Sequence, residues 1–286
     1  MTLQYDKLMK HQFQAVEHHY TQRDSMLYAL GIGLGADPMD PEQLSFVYEK
    51  VLKVLPTQAV VLCRPPNFAR DPQFGINATM SVHAEQKIVL HRPLPGEAVV
   101  TGQTRIQSIV DKGPGKGAII FSTRDVILKE TGEKLATLET ASFARGDGGF
   151  GGPNGPTPAP AEVPTRTPDL FFDWKTLPQA ALIYRLSGDY NALHSDPDTG
   201  KKAGFPRPIL HGACTLGIAG WSLLKTCLGG DPAGLRSIQA RFTKPVFPGE
   251  TIRTEIWKQG KVLSFRVRLV ERPDVVALDN GRAEIA

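Results

Sequence analysis

The sequence predicts an α+β protein made of two similar halves, each a β-sheet with a helix. Three observations carry this. The segment Arg145 to Pro168 reads RGDGGFGGPNGPTPAPAEVPTRTP and has almost no apolar periodicity. That is linker composition, part flexible and part extended, and it divides the chain into residues 1–145, a connection 146–168, and residues 169–286. The halves then share a cadence. Arg92-Pro93-Leu94-Pro95-Gly96-Glu97 precedes the strand-like run Ala98 to Gln103, and Lys244-Pro245-Val246-Phe247-Pro248-Gly249-Glu250 precedes Thr251 to Trp257. Finally, His211-Gly212 opens Ala213 to Leu224, a run that is apolar on nearly all sides and rich in small residues. That is the pattern of a buried helix wrapped by a sheet.

The remaining elements follow in order. Leu8, Phe13 and Val16 suggest an amphipathic helix at the start. Gly117 to Lys129 in the first half and Val262 to Glu271 in the second extend the strand correspondence. Pro206 and Pro208 prevent the second-half helix from starting before His211. The equivalent first-half stretch, Pro56 to Phe74, contains VVLCRPPNFARDPQF, which is broken by prolines and predicts no comparable helix.

Composition narrows the function. At 286 residues, 41% hydrophobic and 22% charged, the chain has enough apolar material for a core without disulfide staples. Cys63, Cys214 and Cys227 have no metal-ligand spacing and read as buried thiols in a reducing compartment. A net charge of +4 without a Lys/Arg block gives a mildly basic surface and no nucleic-acid signature. The longest strongly apolar stretch, interrupted by Gly217 and Gly220, is too short to span a bilayer, and the N-terminus lacks the apolar core of a secretory signal. A soluble protein that is not secreted is expected.

The chemistry-bearing stretch is Tyr184-Arg185-Leu186-Ser187-Gly188-Asp189-Tyr190-Asn191-Ala192-Leu193-His194. On an ideal helix, residues five apart point about 140° away from each other, so Asp189 and His194 converge only in a loop or irregular turn. Gly188 and Asp196-Pro197-Asp198 favour one. A carboxylate and an imidazole aimed at one point can hold a water, one taking a proton from it and the other giving one to a substrate. Asn191 is placed to orient a partner through its amide; the bland alternative is a capped turn with a structural His. Gly212 tips the balance. A helix N-terminus offers free N–H groups and partial positive charge, suited to a carbonyl oxygen that becomes negative. His211 is expected to pack or hydrogen-bond beside the turn.

This stretch, with Ala203-Gly204-Phe205 and Pro208-Ile209-Leu210-His211-Gly212, resembles the MaoC-like, type-2 (R-specific) enoyl-CoA hydratases, above all the hydratase part of the peroxisomal multifunctional β-oxidation enzymes. Tyr28 to Gly33, His83-Ala84-Glu85-Gln86, Asp111-Lys112-Gly113, Gly148 to Gly152 and Ala240 to Val246 extend the resemblance over most of the chain. It implies a double hot-dog fold, in which each half is a sheet curled round a helix and only the second half has a complete one. It also implies hydration of trans-2-enoyl-CoA to (3R)-3-hydroxyacyl-CoA without metal or redox cofactor, in a homodimer. By the same matching Asp189 and His194 are the catalytic pair, Asn191 their neighbour, and the Gly212 N–H the oxyanion donor. His83, Ala84, Lys112 and Phe242 would line the acyl-CoA site together with the segment Asp189, Tyr190, Asn191, Ala192, Leu193, His194 and with Gly212. The family carries Pro where Ala192 stands and Gly where Ala84 stands; neither position supplies a reacting group.

The half without its helix is expected to receive the fatty-acyl chain in an apolar cavity continuous with the active site. Lys112 would meet the anionic CoA end. Lys7-Leu8 followed by Gln14-Ala15 loosely fits the type-2 peroxisomal pattern, whereas Glu284-Ile285-Ala286 is not the C-terminal peroxisomal tripeptide, leaving the peroxisomal matrix or the cytoplasm as the expected location. Two other readings stand beside the hydratase: a hot-dog thioesterase attacking the thioester carbonyl, and a non-catalytic acyl-CoA-binding protein. A metal site of Asp189, His194 and His211 matches no familiar ligand spacing.

Overall fold

The computed structural model describes residues 2–286. Ten antiparallel strands form one continuous sheet in the order β1-β3-β4-β5-β2-β7-β10-β9-β8-β6. The first half supplies β1 (Val16–Tyr20), β2 (Ser81–Leu90), β3 (Ala98–Asp111), β4 (Ala118–Leu128) and β5 (Lys134–Ala144). The second supplies β6 (Leu170–Lys175), β7 (Leu235–Phe242), β8 (Thr251–Gln259), β9 (Val262–Leu269) and β10 (Arg272–Ile285). Strand order within each half is the same, β1-β3-β4-β5-β2 against β6-β8-β9-β10-β7. The repeated Pro-Gly-Glu turns lead into the equivalent strands β3 and β8, so the duplication read from the cadence is real in space. The halves join where β2 pairs with β7, Ile88 opposite Ile238, and Arg241 reaches Glu85 at 2.8 Å across the seam.

Among the described residues there are six α-helices: α1 (Tyr5–Lys10), α2 (Gln22–Gly31), α3 (Pro41–Leu44), α4 (Ala180–Tyr184), α5 (Pro197–Lys202) and α6 (Gly212–Cys227). Every residue of α6 from Cys214 to Leu224 is buried, as its all-round apolar pattern requires. Gly217 and Gly220 let neighbours close in; a Cβ on Gly220 would stand 2.7 Å from Cγ2 of Thr57. In the first half the corresponding place is taken by a 3-10 turn, Pro56–Val61, whose six residues are all buried against β2, β5 and α6. The absence of a helix there is as predicted, but the concavity is partly filled by this turn.

Some expectations need correction. The N-terminal helix stops at Lys10, and Val16 instead opens β1, because Val16 to Tyr20 alternates in burial and pairs with β3. Cys63 and Cys214 are buried free thiols, but Cys227 is only half-buried at the end of α6. No helix or strand interrupts residues 145–169, as the linker composition predicts. The segment is nonetheless tied down. The Asp111 carboxylate accepts N–H bonds from Gly113, Gly149 and Gly151 at 2.7–3.0 Å, and Trp257 Nε1 donates to the Arg166 carbonyl. Among the described residues no helix is long and apolar enough to cross a membrane.

Candidate active site

The segment Asp189 to His194 is the irregular turn that convergence of its side chains demands. The 3-10 turn Arg185–Ser187 ends at Gly188, whose φ of 110° is left-handed and needs glycine. The chain reverses through Asp189 and Tyr190 into a second 3-10 turn, Ala192–His194. Asn191 caps that turn, its Oδ1 accepting the Leu193 N–H at 3.2 Å. Its side-chain oxygen is therefore a cap, where sequence reasoning expected it to orient a partner. Ala192 occupies the first position of the turn, where Pro is readily accommodated, and Ala holds the same geometry without it. Tyr190 lies outward with the Arg185 guanidinium 4.9 Å from its ring centre, and Leu193 is half-buried.

Hydrogen bonding fixes both imidazoles. His194 Nδ1–H donates to the Ile209 carbonyl at 2.9 Å, which leaves Nε2 of the neutral ring as an acceptor. His211 Nε2–H donates to the Asp189 main-chain carbonyl at 3.1 Å, tying the start of α6 to the Asp189–His194 turn. The two rings stack with centroids 3.7 Å apart. Burial lowers the pKa of His194, against opposing pulls from the Ile209 hydrogen bond and Asp189. His211, packed under Tyr184 and 1% exposed, is pulled down to about 4 by burial and then by His194. Donor atoms of Asp189, His194 and His211 all lie within 4.8 Å of one another, the span of two hydrogen bonds through one water.

Sequence reasoning missed Arg64. Its guanidinium sits 2.9 Å from the Asp189 carboxylate, an ion pair that reaches from the first half into the second. Burial pushes the Asp189 carboxyl up, but Arg64, His211 and His194 outweigh it, and the net result lies below the ordinary carboxylate value. Arg64 follows Cys63, which has a left-handed φ of 50° and donates its N–H to His18 Nδ1. The signal available in the sequence was a lone charge immediately after the buried run Val60 to Cys63.

The other expected residues divide. Phe242 lies over the start of α6: a Cβ on Gly212 would stand 2.8 Å from its Cδ1, so this position accepts glycine alone without movement of the ring. His83, exposed near the start of β2, packs against Phe242 with ring centres 4.6 Å apart. Ala84 is the extra residue of a β-bulge between His83 and Glu85. Its φ is not positive, which is why alanine stands there without strain. Lys112 is not part of this cluster. It is exposed on the β3–β4 turn and lines an open cleft with Pro114, Gly149 and Asn154, at the sheet end where β2 begins.

The chain matches two family models, the MFE-2 hydratase 2 N-terminal domain over residues 18–146 and the MaoC like domain over residues 159–280. It is 43% identical to the 3-hydroxyacyl-thioester dehydratase Y of Mycobacterium tuberculosis, over 93% of this chain and 90% of that one. It is 37% identical to the peroxisomal enoyl-CoA hydratase 2 of Arabidopsis thaliana, over 95% and 92%. The solved structure of a MaoC-like dehydratase from Phytophthora capsici superimposes with a TM-score of 0.86 at 36% identity, covering 98% of both chains. With the duplicated sheet, the single central helix and the Asp189–His194 turn at its N-terminus, these matches place the chain in the MaoC-like enoyl-CoA hydratase 2 family.

Proposed function

We propose that this enzyme reversibly hydrates trans-2-enoyl-CoA to (3R)-3-hydroxyacyl-CoA in fatty-acid β-oxidation, a hydro-lyase reaction using the protein's own side chains. The observation that carries the reading is the placement of an Asp189 carboxylate oxygen and a ring nitrogen of His194 within one water's span of each other, beside the N-terminus of α6. Both groups rest as proton acceptors, because Arg64 holds Asp189 ionised and the Ile209 carbonyl holds the proton of His194 on Nδ1.

In this mechanism the Gly212 N–H binds the thioester oxygen. A water donates to Asp189 and His194. Its oxygen bonds to C3 while one proton passes to the pair, and the π electrons move to the thioester oxygen. There the N–H and the helix dipole stabilise the enolate. One proton then returns from the pair to C2, and the enzyme ends as it began. Because both groups lie in one short turn, water and proton add to the same face. His83, Ala84 and Phe242 line the acyl-CoA site, and Lys112 takes the anionic CoA end. On the same reading the protein works as a homodimer in the peroxisomal matrix or the cytoplasm; the name of the Arabidopsis relative supports the former.

The test is hydration in deuterated water, followed by loss of enoyl-thioester absorbance and chiral analysis of the product. The expected product is the 3R alcohol from same-face addition. Release of free CoA in its place would make the protein a thioesterase, and a 3S product would overturn the assignment.

A further inference from the structure

The concave face of the first sheet is not the uniformly apolar surface a plain fatty-acyl chain would call for. On β4, Ala118, Ile120, Ser122, Arg124 and Val126 share one face by alternation, and Ala118, Ile120 and Val126 are at most 1% exposed, so this is the inner face. Thr104 of β3 stands opposite Arg124, and Thr140 of β5 stands opposite both Ser122 and Gln86. A polar band thus crosses the inner face. Two separate apolar clusters flank it, one holding Ala118 and Ile120, the other Val126 and Leu138.

Most of the band is provided for. Thr140 donates to Gln86 Oε1 at 3.1 Å, and the Gln86 amide donates to the Glu139 carbonyl. Arg124 is not. One Nη donates to the Val60 carbonyl at 2.8 Å, while Nε is sealed from solvent and has no hydrogen-bond partner. Asp125, its neighbour in sequence, faces the opposite side and is held there by Arg105, Lys134 and Thr137. The charged group felt by Arg124 is another guanidinium, Arg64, and after the larger effect of burial this lowers its pKa to about 10, still a cation at neutral pH. Arg124 as a whole is half-buried, and a cation on an inner face without an anion carries a desolvation cost that an aliphatic residue would not. Val60 and Arg64 lie on one short segment, which bridges Arg124 to Asp189.

We infer that the preferred substrate carries a carboxylate on its acyl chain, distal to the double bond, and that Arg124 is the residue that pairs with it. A guanidinium fork is suited to a carboxylate in two-point contact, and the hydroxyls of Ser122 and Thr104 share its end of the polar band. This assignment rests on the hydratase reading of Asp189 and His194.

The experiment compares trans-2-enoyl-CoAs of matched chain length ending in methyl, hydroxyl or carboxylate, over several lengths, with the wild type and with Arg124→Leu. In parallel, calorimetry measures binding of the corresponding saturated acyl-CoAs, which cannot react. At the best length the carboxylate is expected to exceed the methyl-ended chain in kcat/KM by roughly tenfold or more, the scale of a charge-assisted hydrogen bond, and Arg124→Leu is expected to abolish that preference. The saturated series should show the same preference in affinity. Equal or better use of the methyl-ended chains by the wild type would overturn the inference, and so would an equal preference for the neutral hydroxyl. The wild-type comparison decides even if the variant does not fold. If no chain is hydrated but the carboxylated acyl-CoA binds preferentially, the reaction assignment falls while Arg124 stands; hydration without the preference sinks Arg124 alone.

Discussion

Two halves with the same strand order fill their concave faces differently. The second half uses a helix of sixteen residues, α6, buried from Cys214 to Leu224. The first uses a six-residue 3-10 turn, Pro56–Val61, followed by a left-handed Cys63 and by Arg64. The long helix creates an N-terminus at Gly212 against which chemistry can be placed. The short turn lets the chain run on to Arg64 and bring a guanidinium to Asp189 from the opposite half. The duplicated fold thus divides the candidate site: the proposed acid/base groups and the helix end come from one copy, and the guanidinium paired with the Asp189 carboxylate comes from the other.

The comparison breaks most sharply at the dyad. Asp189→Asn and His194→Gln should each fold and bind acyl-CoA, yet lose roughly 10²–10⁴-fold in kcat, with the double variant little worse than either single one. Steady-state kinetics beside binding calorimetry would show it, and near-normal turnover in either variant would refute the assignment. Insensitivity of the wild type to chelators should accompany this, since the same three donors could in principle hold a cation. Next comes the helix end. Gly212→Ala keeps the backbone N–H but sets a methyl 2.8 Å from Phe242 Cδ1, so the ring or the helix end must shift, and kcat should fall by at most the roughly 10²–10³ that a lost oxyanion donor costs. If the effect fell entirely on KM, the shift would disturb binding and leave the N–H aligned with the reacting oxygen.

Arg64→Gln tests whether the first half takes part in the chemistry. Losing the guanidinium lets burial raise the Asp189 pKa, so the acid limb of the kcat profile should move to higher pH. Activity should fall by roughly tenfold, on the scale of one charge-assisted hydrogen bond. An unmoved limb would reduce Arg64 to a surface contact. Gly220→Ala probes the packing between the two fillers, because the new methyl meets Thr57. A loss of about 1–3 kcal/mol in chemical denaturation is expected, recovered in part by Thr57→Ser, which removes the opposing Cγ2.

The smallest effect is the pH dependence of stability. Burial and then His194 bring the folded pKa of His211 to about 4, below its ordinary 6.5, so between these values the unfolded chain binds more protons. The stability that His211 contributes is therefore complete above pH 6.5 and is lost as pH falls toward about 4. His194 is shifted the same way. Tm measured across this window should fall with pH, less steeply in His211→Gln.

Sequence alone determined whatever depends on local composition and periodicity. The all-round apolar run had to be a buried helix, because no polar face was available for water. Gly212 had to mark its start, because Pro206 and Pro208 close off anything earlier. The linker followed from its Gly and Pro content, and the duplication from two Pro-Gly-Glu turns entering equivalent strands. The convergence of Asp189 and His194 was legible as a condition, that the segment not be helical, and Gly188 with Asn191 meets it. The tertiary structure alone decided the rest. Val16 became a strand because β3 offered it a partner. The linker was fixed by Asp111, a residue far from it in sequence. Arg64 and Asp189 are 125 positions apart and no local pattern couples them; only the closing of one hot dog against the other brings the pair to 2.9 Å. Spacing along the chain constrains what neighbours can do, whereas the field at a catalytic group is the sum over everything the fold packs around it.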